Sequence, residues 1–142
     1  MEQHLQQQPC LCGKDKTWQQ CCGRFLDAGE QAKTAEQLMR SRYSAYAAGG
    51  YGDYLLATWH PATASGLSAA DLSIKIHVWC GLDILDKSQI GDKATVEFIA
   101  WHASEETEGA SQRDGQWVQS LHEKSSFVRI HSRWLYVGGE IS

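Results

Sequence analysis

Residues 34–50, TAEQLMRSRYSAYAAGG, carry the clearest helical signals in the chain and decide how its fold begins. Thr34 is a suitable N-cap, and Gln37 three residues later completes a capping box. Gly49 and Gly50 then end the helix. Helical spacing gathers one set of side chains on a single face: Ala35, Leu38, Met39, Arg42, Tyr43 and Tyr46. The segment therefore predicts an amphipathic helix that buries an arginine.

Two shorter helical segments follow this one. In YGDYLLATWH, residues 51–60, the helix must end before Pro61, because a residue that precedes proline disfavours the α conformation. LSAADLS, residues 67–73, predicts one further turn of helix with Ser68 as its cap.

The second half of the chain changes to β-branched and aromatic residues. Four such runs, separated by turn-like segments, predict the strands of an antiparallel meander: VWCGLDIL (78–85), KATVEFIAWH (93–102), WVQSLHEKSSFVRI (117–130) and RWLYVGG (133–139). In the second run, alternation places Val96, Phe98, Ala100 and His102 on one face of the strand. Helices followed by strands predict an α+β fold, with the helices packed on one face of a bent antiparallel sheet.

Upstream of the long helix, CLCGKDKTWQQCCG at residues 10–23 contains four of the five cysteines. Two close pairs separated by a short loop can surround one zinc ion, which prefers four soft ligands in a tetrahedron. Glycines follow each pair and permit sharp turns. The segment has too few apolar residues for a core of its own, so metal binding would order it. The four candidate ligands are Cys10, Cys12, Cys21 and Cys22.

Two other roles for these thiols stay open: idle reduced cysteines, and a redox relay or copper-handling pair. The fifth cysteine, Cys80, is expected to be a small apolar core residue.

The composition limits the classes of partner that the protein is expected to bind. The formal net charge is -4, and residues 1–33 are neutral, which argues against tight nucleic acid binding. No apolar run is long enough to span a bilayer. The N-terminal sequence MEQHLQQQP lacks the basic and apolar regions of a signal peptide, which predicts a cytoplasmic protein with no membrane partner.

The cysteine segment resembles the SEC-C zinc motif, named for the C-terminus of the SecA translocation ATPase. The ligand positions match in type and spacing, although Leu11 stands where the motif usually has proline. The resemblance implies that all four cysteines bind a structural Zn²⁺ ion. It also implies a partner-binding rim on the knuckle, which would consist of Lys14, Lys16, Trp18, Gln19, Gln20 and Arg24.

The rest of the chain resembles the YchJ family of bacterial proteins, which join a SEC-C-like knuckle to a nuclear-transport-factor-2-like (NTF2-like) domain. The matching segments are LMRSRYSAY, DYLLATWHP and HEKSSFVRIHSRWLYVGG. The resemblance implies a zinc knuckle at residues 1–30 and an NTF2-like cone at residues 31–142. The family has no assigned activity, so whether the protein is an enzyme stays open.

Two functions follow as hypotheses. The first is a protein-interaction or adaptor module held rigid by the zinc knuckle. The second is a small-molecule binder, or an enzyme of the isomerase or dehydratase type, that uses the cavity of the cone. The residues expected at that cavity are Arg42, Tyr46, Asp53, Trp59 and His60. Arg42 either forms an internal ion pair, with Asp53, Glu97 or Glu123 as its partner, or binds an anionic ligand.

Overall fold

The computed structural model describes residues 6–142. The helices that lie entirely within this described range are α1 (Gly23–Leu26), α2 (Ala35–Ala48), α3 (Gly52–Ala57) and α4 (Ala69–Leu72). Five strands complete the described part of the chain: β1 (Trp79–Ile90), β2 (Lys93–Ala103), β3 (Ser111–Arg113), β4 (Gln116–Ile130) and β5 (Arg133–Ile141). The predicted α+β class is confirmed.

Helix α2 begins and ends as its sequence predicts. The Thr34 side chain accepts a hydrogen bond from the backbone N–H of Gln37, and Gly49 ends the helix with a φ of 75°. Ser68 caps α4 in the same way as Thr34 caps α2, by accepting from the N–H of Asp71. Helix α3 ends at Ala57, ahead of Pro61. These boundaries depend on local hydrogen bonds, which is why the sequence identifies them.

The five strands form one antiparallel sheet in which β4 is the central strand. β4 pairs with β2 along one edge, and with β3 and then β5 along the other, while β1 pairs with β2 at the outside of the sheet. Register shifts between Ile84 and Asp86 in β1, and between Ser126 and Phe127 in β4, bend the sheet. The turn-like segment between the second and third predicted strands contains the short strand β3, which was not predicted from the sequence.

Helix α2 packs against the inner face of this sheet. The inward side chains of β2 alternate as predicted, with Ala94, Val96, Phe98 and Ala100 all buried. The cysteine segment belongs to the same core, since its four thiols and Trp18 are buried together with Leu38 and Met39 of α2. The predicted division at residue 30 stays a prediction. No helix within residues 6–142 is long and apolar enough to cross a membrane.

Gly52 allows α3 to approach α4 closely. A Cβ atom at this position would overlap the backbone carbonyl group of Ala69 and lie 2.4 Å from the Ser73 hydroxyl oxygen. The Gly52 N–H instead donates a hydrogen bond of 2.8 Å to that hydroxyl. The contact brings α4 and the segment after it to the open end of the sheet.

Cys80 does not lie in the core, contrary to the prediction. It is exposed on β1, and its thiol donates toward the carbonyl oxygen of Trp101 at 3.6 Å. A register shift between Trp79 and Gly81 places Cys80 at an irregular position of the outer strand β1, where strict alternation does not turn its side chain inward.

Candidate metal centre and cavity

The structure brings the four cysteines of the N-terminal segment together. The sulfur atoms of Cys10, Cys12, Cys21 and Cys22 all lie within 4.8 Å of one another, and every one of these residues is buried. The sulfur atoms of Cys12 and Cys21 are 3.7 Å apart. A tetrahedral zinc site with Zn–S bonds of about 2.3 Å has sulfur–sulfur edges of about 3.8 Å. The donor set therefore fits one tetrahedral metal ion with four thiolate ligands.

Tight turns and one close approach produce this convergence. The N–H of Cys10 donates to the carbonyl oxygen of Lys16, and the N–H of Gly13 donates to that of Cys10. Gly13 has a φ of 86°, a conformation that glycine adopts without strain. At Gly23, a Cβ atom would lie 2.6 Å from the carbonyl oxygen of Trp18. Both glycines are thus required where they stand.

Helix α2 supplies polar groups to the cysteine cluster. The Arg40 Nη1 atom donates to the carbonyl oxygen of Cys12 at 3.1 Å and lies 3.8 Å from the Cys12 sulfur. The Ser44 hydroxyl lies 4.0 Å from the Cys10 sulfur. Arg40 also pairs with Glu36, which in turn pairs with Lys87 of β1. The cationic Arg40 can offset negative charge that thiolates bring to a buried site.

The cluster favours mixed protonation of its thiols. Hydrogen bonds from Cys12 and then Cys22 lower the pKa of Cys10. Burial, followed by the charges of Cys12 and Cys10, raises the pKa of Cys21 to about 12. Hydrogen bonding to Cys10 and Cys12, together with burial, raises the pKa of Cys22. Four thiolates in so small a buried volume therefore require a cation among them.

The six residues predicted for the rim of the knuckle differ in their exposure to solvent. Lys14, Lys16, Gln19 and Gln20 are exposed, and Arg24 is half-buried. Trp18 is not on the rim, because it is completely buried. Its indole N–H donates a hydrogen bond of 2.7 Å to Asp27, which also accepts one from the hydroxyl of Tyr51. Trp18 thus joins the cysteine segment to the start of α3.

A cavity of about 310 Å³ lies between α2, α4 and the inner face of the sheet. Exposed Asp71, Ile74, Ile76 and His77 stand at its opening to solvent. The interior is mostly aromatic, with walls formed by Tyr43, Tyr46, Trp59, Trp79, Phe98, Phe127 and Tyr136. The polar side chains deeper in the cavity are Arg42, Glu123 and Ser125.

Arg42 is buried at the cavity wall, with 5% of its surface exposed. Its Nη1 atom donates to the carbonyl oxygen of Leu55 at 2.8 Å and to the Thr58 hydroxyl at 2.7 Å. The guanidinium lies against the rings of Trp59 and Tyr136, at 4.8 and 4.5 Å from their centroids. Burial lowers the pKa of this guanidinium from its very high ordinary value.

The predicted ion pair of Arg42 is absent from residues 6–142. Asp53 is exposed on α3, and Glu97 pairs with His122 on the opposite face of the sheet. Glu123 lines the same cavity as Arg42 without forming an ion pair with it. Arg42 instead binds groups at the C-terminal end of α3, where main-chain carbonyls attract cations.

Glu123 holds the other charge inside the cavity. Its Oε2 atom accepts hydrogen bonds from the Ser125 hydroxyl at 2.5 Å and from the Tyr136 hydroxyl at 3.1 Å. Burial, with the nearby negative charge of Glu123, raises the pKa of Tyr136, so this phenol remains a neutral donor. At Gly139 a Cβ atom would lie 2.6 Å from Cγ of Glu123 and closer still to its carboxylate. Glycine at that position leaves the space that the Glu123 side chain occupies.

Two of the predicted cavity residues lie elsewhere. Arg42, Tyr46 and Trp59 line the cavity, but Asp53 and His60 do not. The ring of His60 accepts a hydrogen bond from the N–H of Ala62, and its backbone pairs with Tyr136. Asp53 lies on the exposed side of the short helix α3, and His60 directly precedes the turn at residues 61–63. Residue type alone does not indicate either position.

Sequence reasoning missed most of the cavity residues from the sheet. Glu123, Ser125 and Phe127 alternate on β4, and Tyr136 lies on β5 beside them. The alternation of period two was visible in the sequence. It did not indicate which of the two faces of β4 meets α2.

Residues 34–139 match the family described as the middle, NTF2-like domain of YchJ. A UPF0225 protein of Streptomyces coelicolor is 41% identical over 133 residues, covering 93% of this chain and 94% of that protein. A UPF0225 protein of Bordetella pertussis is 43% identical over 137 residues, covering 93% of this chain and 92% of that protein.

Two solved structures have a similar fold. One is the solution structure of a SEC-C motif containing protein from Rhodopseudomonas palustris. It has a TM-score of 0.76 and 34% identity, and the match covers 94% of this chain and 98% of that one. The other is the crystal structure of a SEC-C motif containing protein from Psychrobacter arcticus, with a TM-score of 0.78, 25% identity, and coverage of 98% and 85%.

Fold and cysteine cluster together define an NTF2-like α+β protein with an N-terminal four-cysteine site capable of binding a metal ion. The chain belongs to the YchJ family, whose curated relatives carry the designation UPF0225.

Proposed function

We propose that this protein binds a small organic molecule in the cavity between α2, α4 and the sheet. The observation that carries this proposal is a solvent-connected aromatic cavity of about 310 Å³ with a buried arginine and a glutamate in its walls. Ligand sites typically combine an apolar lining with a few fixed polar groups, in cavities of this size or larger. Catalysis of the isomerase or dehydratase type at the same cavity stays a prediction.

The cysteine cluster has a structural role in this proposal, with Zn²⁺ as its metal. Four thiolates fill the coordination sphere of zinc, so no position is left for a substrate. The knuckle contacts α2 through Arg40 and Ser44, and α2 forms one wall of the cavity through Met39, Arg42 and Tyr43. The proposal places the protein in the cytoplasm, where clustered thiols stay reduced.

Ligand binding is tested by NMR fragment screening of the full-length, zinc-loaded protein. Fragments that bind the cavity should shift the resonances of Tyr136, Trp59 and Phe127. The Leu72→Trp variant, which places a larger side chain at the cavity wall, should abolish these shifts. Leu67→Trp is the matched control, because Leu67 is partly exposed and outside the cavity lining. A screen without cavity hits would refute the proposal.

The metal is tested by elemental analysis of protein purified without added metal. One zinc per chain is expected, and Cys22→Ser should lose it. Cys80→Ser should keep it, because Cys80 lies outside the cluster. Zinc-free protein with two disulfides would contradict the assignment.

A second candidate function is that of an adaptor that binds a protein partner through the knuckle. It is favoured by the exposure of Lys14, Lys16, Gln19 and Gln20 beside a buried and rigid cluster. Its weakness is the burial of Trp18, since interfaces commonly depend on an aromatic anchor. Replacing Lys14, Lys16 and Arg24 by alanine should weaken the affinity for a crosslinked and purified partner. Replacing Lys75, Lys93 and Lys124, which lie outside the rim, should not.

A further inference from the structure

The two charged side chains inside the cavity both retain hydrogen-bonding capacity. For Arg42, the two hydrogen bonds to Leu55 and Thr58 come from Nη1 alone. Within residues 6–142, its Nε and Nη2 atoms form no hydrogen bond that satisfies both the distance and the angle, and the Tyr46 hydroxyl is the side-chain group close enough to share them with a ligand. In this described part of the chain, the side-chain polar atom that is both fully buried and without a partner is Nε1 of Trp59. Nε and Nη2 of Arg42 do not fall into that class, so they are not closed off from the cavity. Donors of a buried cation thus remain available to a bound molecule.

Glu123 offers the complementary group. Its Oε2 atom is occupied by the hydroxyls of Ser125 and Tyr136. Its Oε1 atom has no hydrogen-bond partner among the described residues. A carboxylate oxygen inside an apolar cavity strongly favours an N–H or O–H donor, because leaving it unpaired costs most of its desolvation energy.

Both groups contact the same side chain, so they lie at one end of the cavity. The Arg42 guanidinium lies 4.5 Å from the ring centroid of Tyr136, and Glu123 accepts the hydroxyl of that same ring. One tyrosine side chain therefore stands in contact with both charged groups. The remaining walls are rings such as Phe98, Phe127 and Trp79, which favour an aromatic body in the ligand.

Resting on the function proposed above, we infer that the ligand is a small aromatic amino carboxylate. Its carboxylate binds the free donors of Arg42, its amino group donates to Oε1 of Glu123, and its ring packs among the aromatic walls. A purely anionic ligand would leave Glu123 unpaired beside a second negative charge. A purely cationic ligand would do the same to Arg42. A zwitterion pairs both groups and leaves the charge of the cavity unchanged.

The test is a matched series of ligands measured by calorimetry and NMR on the full-length, zinc-loaded protein. The indole series is L-tryptophan, indole-3-acetate, tryptamine and indole. The phenyl series is L-phenylalanine, phenylacetate, phenethylamine and toluene. The amino acid of at least one series should bind about tenfold or more tightly than its three analogues, since each analogue lacks at least one of the charge-assisted hydrogen bonds. The shifted resonances should be those of Tyr136, Trp59 and Phe127.

A variant separates the two halves of the inference. Glu123→Gln should remove the advantage of the amino acid over the acetate derivative and leave the affinity for the acetate derivative equal or higher. Glu97→Gln is the control, because Glu97 bonds His122 on the opposite face of the sheet. Arg42 itself anchors α3, so the ligand series on the unmodified protein, rather than an Arg42 variant, tests its role.

The outcomes distinguish the inference from the function on which it rests. If indole, toluene or a singly charged analogue binds the cavity as tightly as the amino acid, charge recognition is refuted and small-molecule binding stands. If none of the eight compounds shifts the cavity resonances while other fragments do, the ligand class is refuted. If no fragment at all shifts them, the proposed function fails as well.

Discussion

Arg40 and Arg42 are two residues apart on α2 and face different sites. Arg40 donates to the carbonyl oxygen of Cys12 at 3.1 Å, whereas Arg42 lines the cavity and donates to the carbonyl oxygen of Leu55. In a helix, residues two apart point in different directions, so one element serves both sites. The position of the cavity wall is therefore tied to the packing of the cysteine cluster.

Arg40→Met should weaken zinc binding by about 10–100-fold, the usual effect of losing a partner of a metal ligand. The variant removes the hydrogen bond to Cys12 and the positive charge that lies 3.8 Å from its sulfur. Competition with a zinc chelator measures the affinity. Lys16→Met is the control, because the Lys16 side chain is exposed. Equal zinc affinity in both variants would show that Arg40 does not support the site.

Trp18→Ala should lower the free energy of unfolding by about 3–5 kcal/mol, the range for large buried aromatic residues. Trp18 is completely buried and donates to Asp27, so the substitution leaves both a void and an unpaired acceptor. Urea unfolding followed by circular dichroism measures the change. Lys14→Ala, a change at an exposed position of the same segment, should stay within about 0.5 kcal/mol. A small loss in Trp18→Ala would mean that Trp18 is not buried in solution.

Gly139→Ala should displace Glu123 and lower the affinity for any ligand that the Glu123 carboxylate binds. A Cβ atom at residue 139 overlaps the Glu123 side chain, which must move out of its hydrogen bonds with Ser125 and Tyr136. Overpacking of this kind costs about 1–3 kcal/mol of stability. Gly138→Ala is the matched control, since nothing lies within 4 Å of a Cβ atom there. The measurements are the NMR shift of Tyr136 and the free energy of unfolding in both variants. If Gly139→Ala and Gly138→Ala gave the same values, the close contact between residue 139 and Glu123 would be contradicted.

Protonation of Glu36 should account for part of the loss of folding stability in acid. Hydrogen bonding to Lys87, assisted by Arg40, lowers the pKa of Glu36 to about 2, from an ordinary value of 4.5. A carboxyl group with a lowered folded-state pKa stabilises the fold above its unfolded pKa, and this contribution disappears as the pH falls from about 4.5 toward about 2. Urea unfolding should therefore show Glu36→Gln less stable than the unmodified protein at pH 7, with the difference shrinking at pH 3. A difference independent of pH would contradict the pairing of Glu36 with Lys87 and Arg40.

The sequence by itself determined the features that depend on near neighbours. The caps Thr34 and Gly49 set the bounds of α2, because each acts on backbone groups within one helical turn. The spacing of the cysteines predicted a four-thiol cluster, because close pairs in a short segment have few other ways to converge. Alternation in β2 identified its buried face, since its period is a property of the strand.

Only the tertiary structure decided which side chains line the cavity, which are buried and which are exposed to solvent. Glu123 meets Tyr136 through the pairing of β4 with β5, and Trp59 joins them through a bridge to Tyr136 from the end of α3. Asp53 and His60 point away, Trp18 is buried against Asp27, and Cys80 is exposed on an edge strand. These outcomes depend on packing between segments far apart in the chain. Residue type and local period do not determine such packing, because they specify a face of an element but not its neighbour.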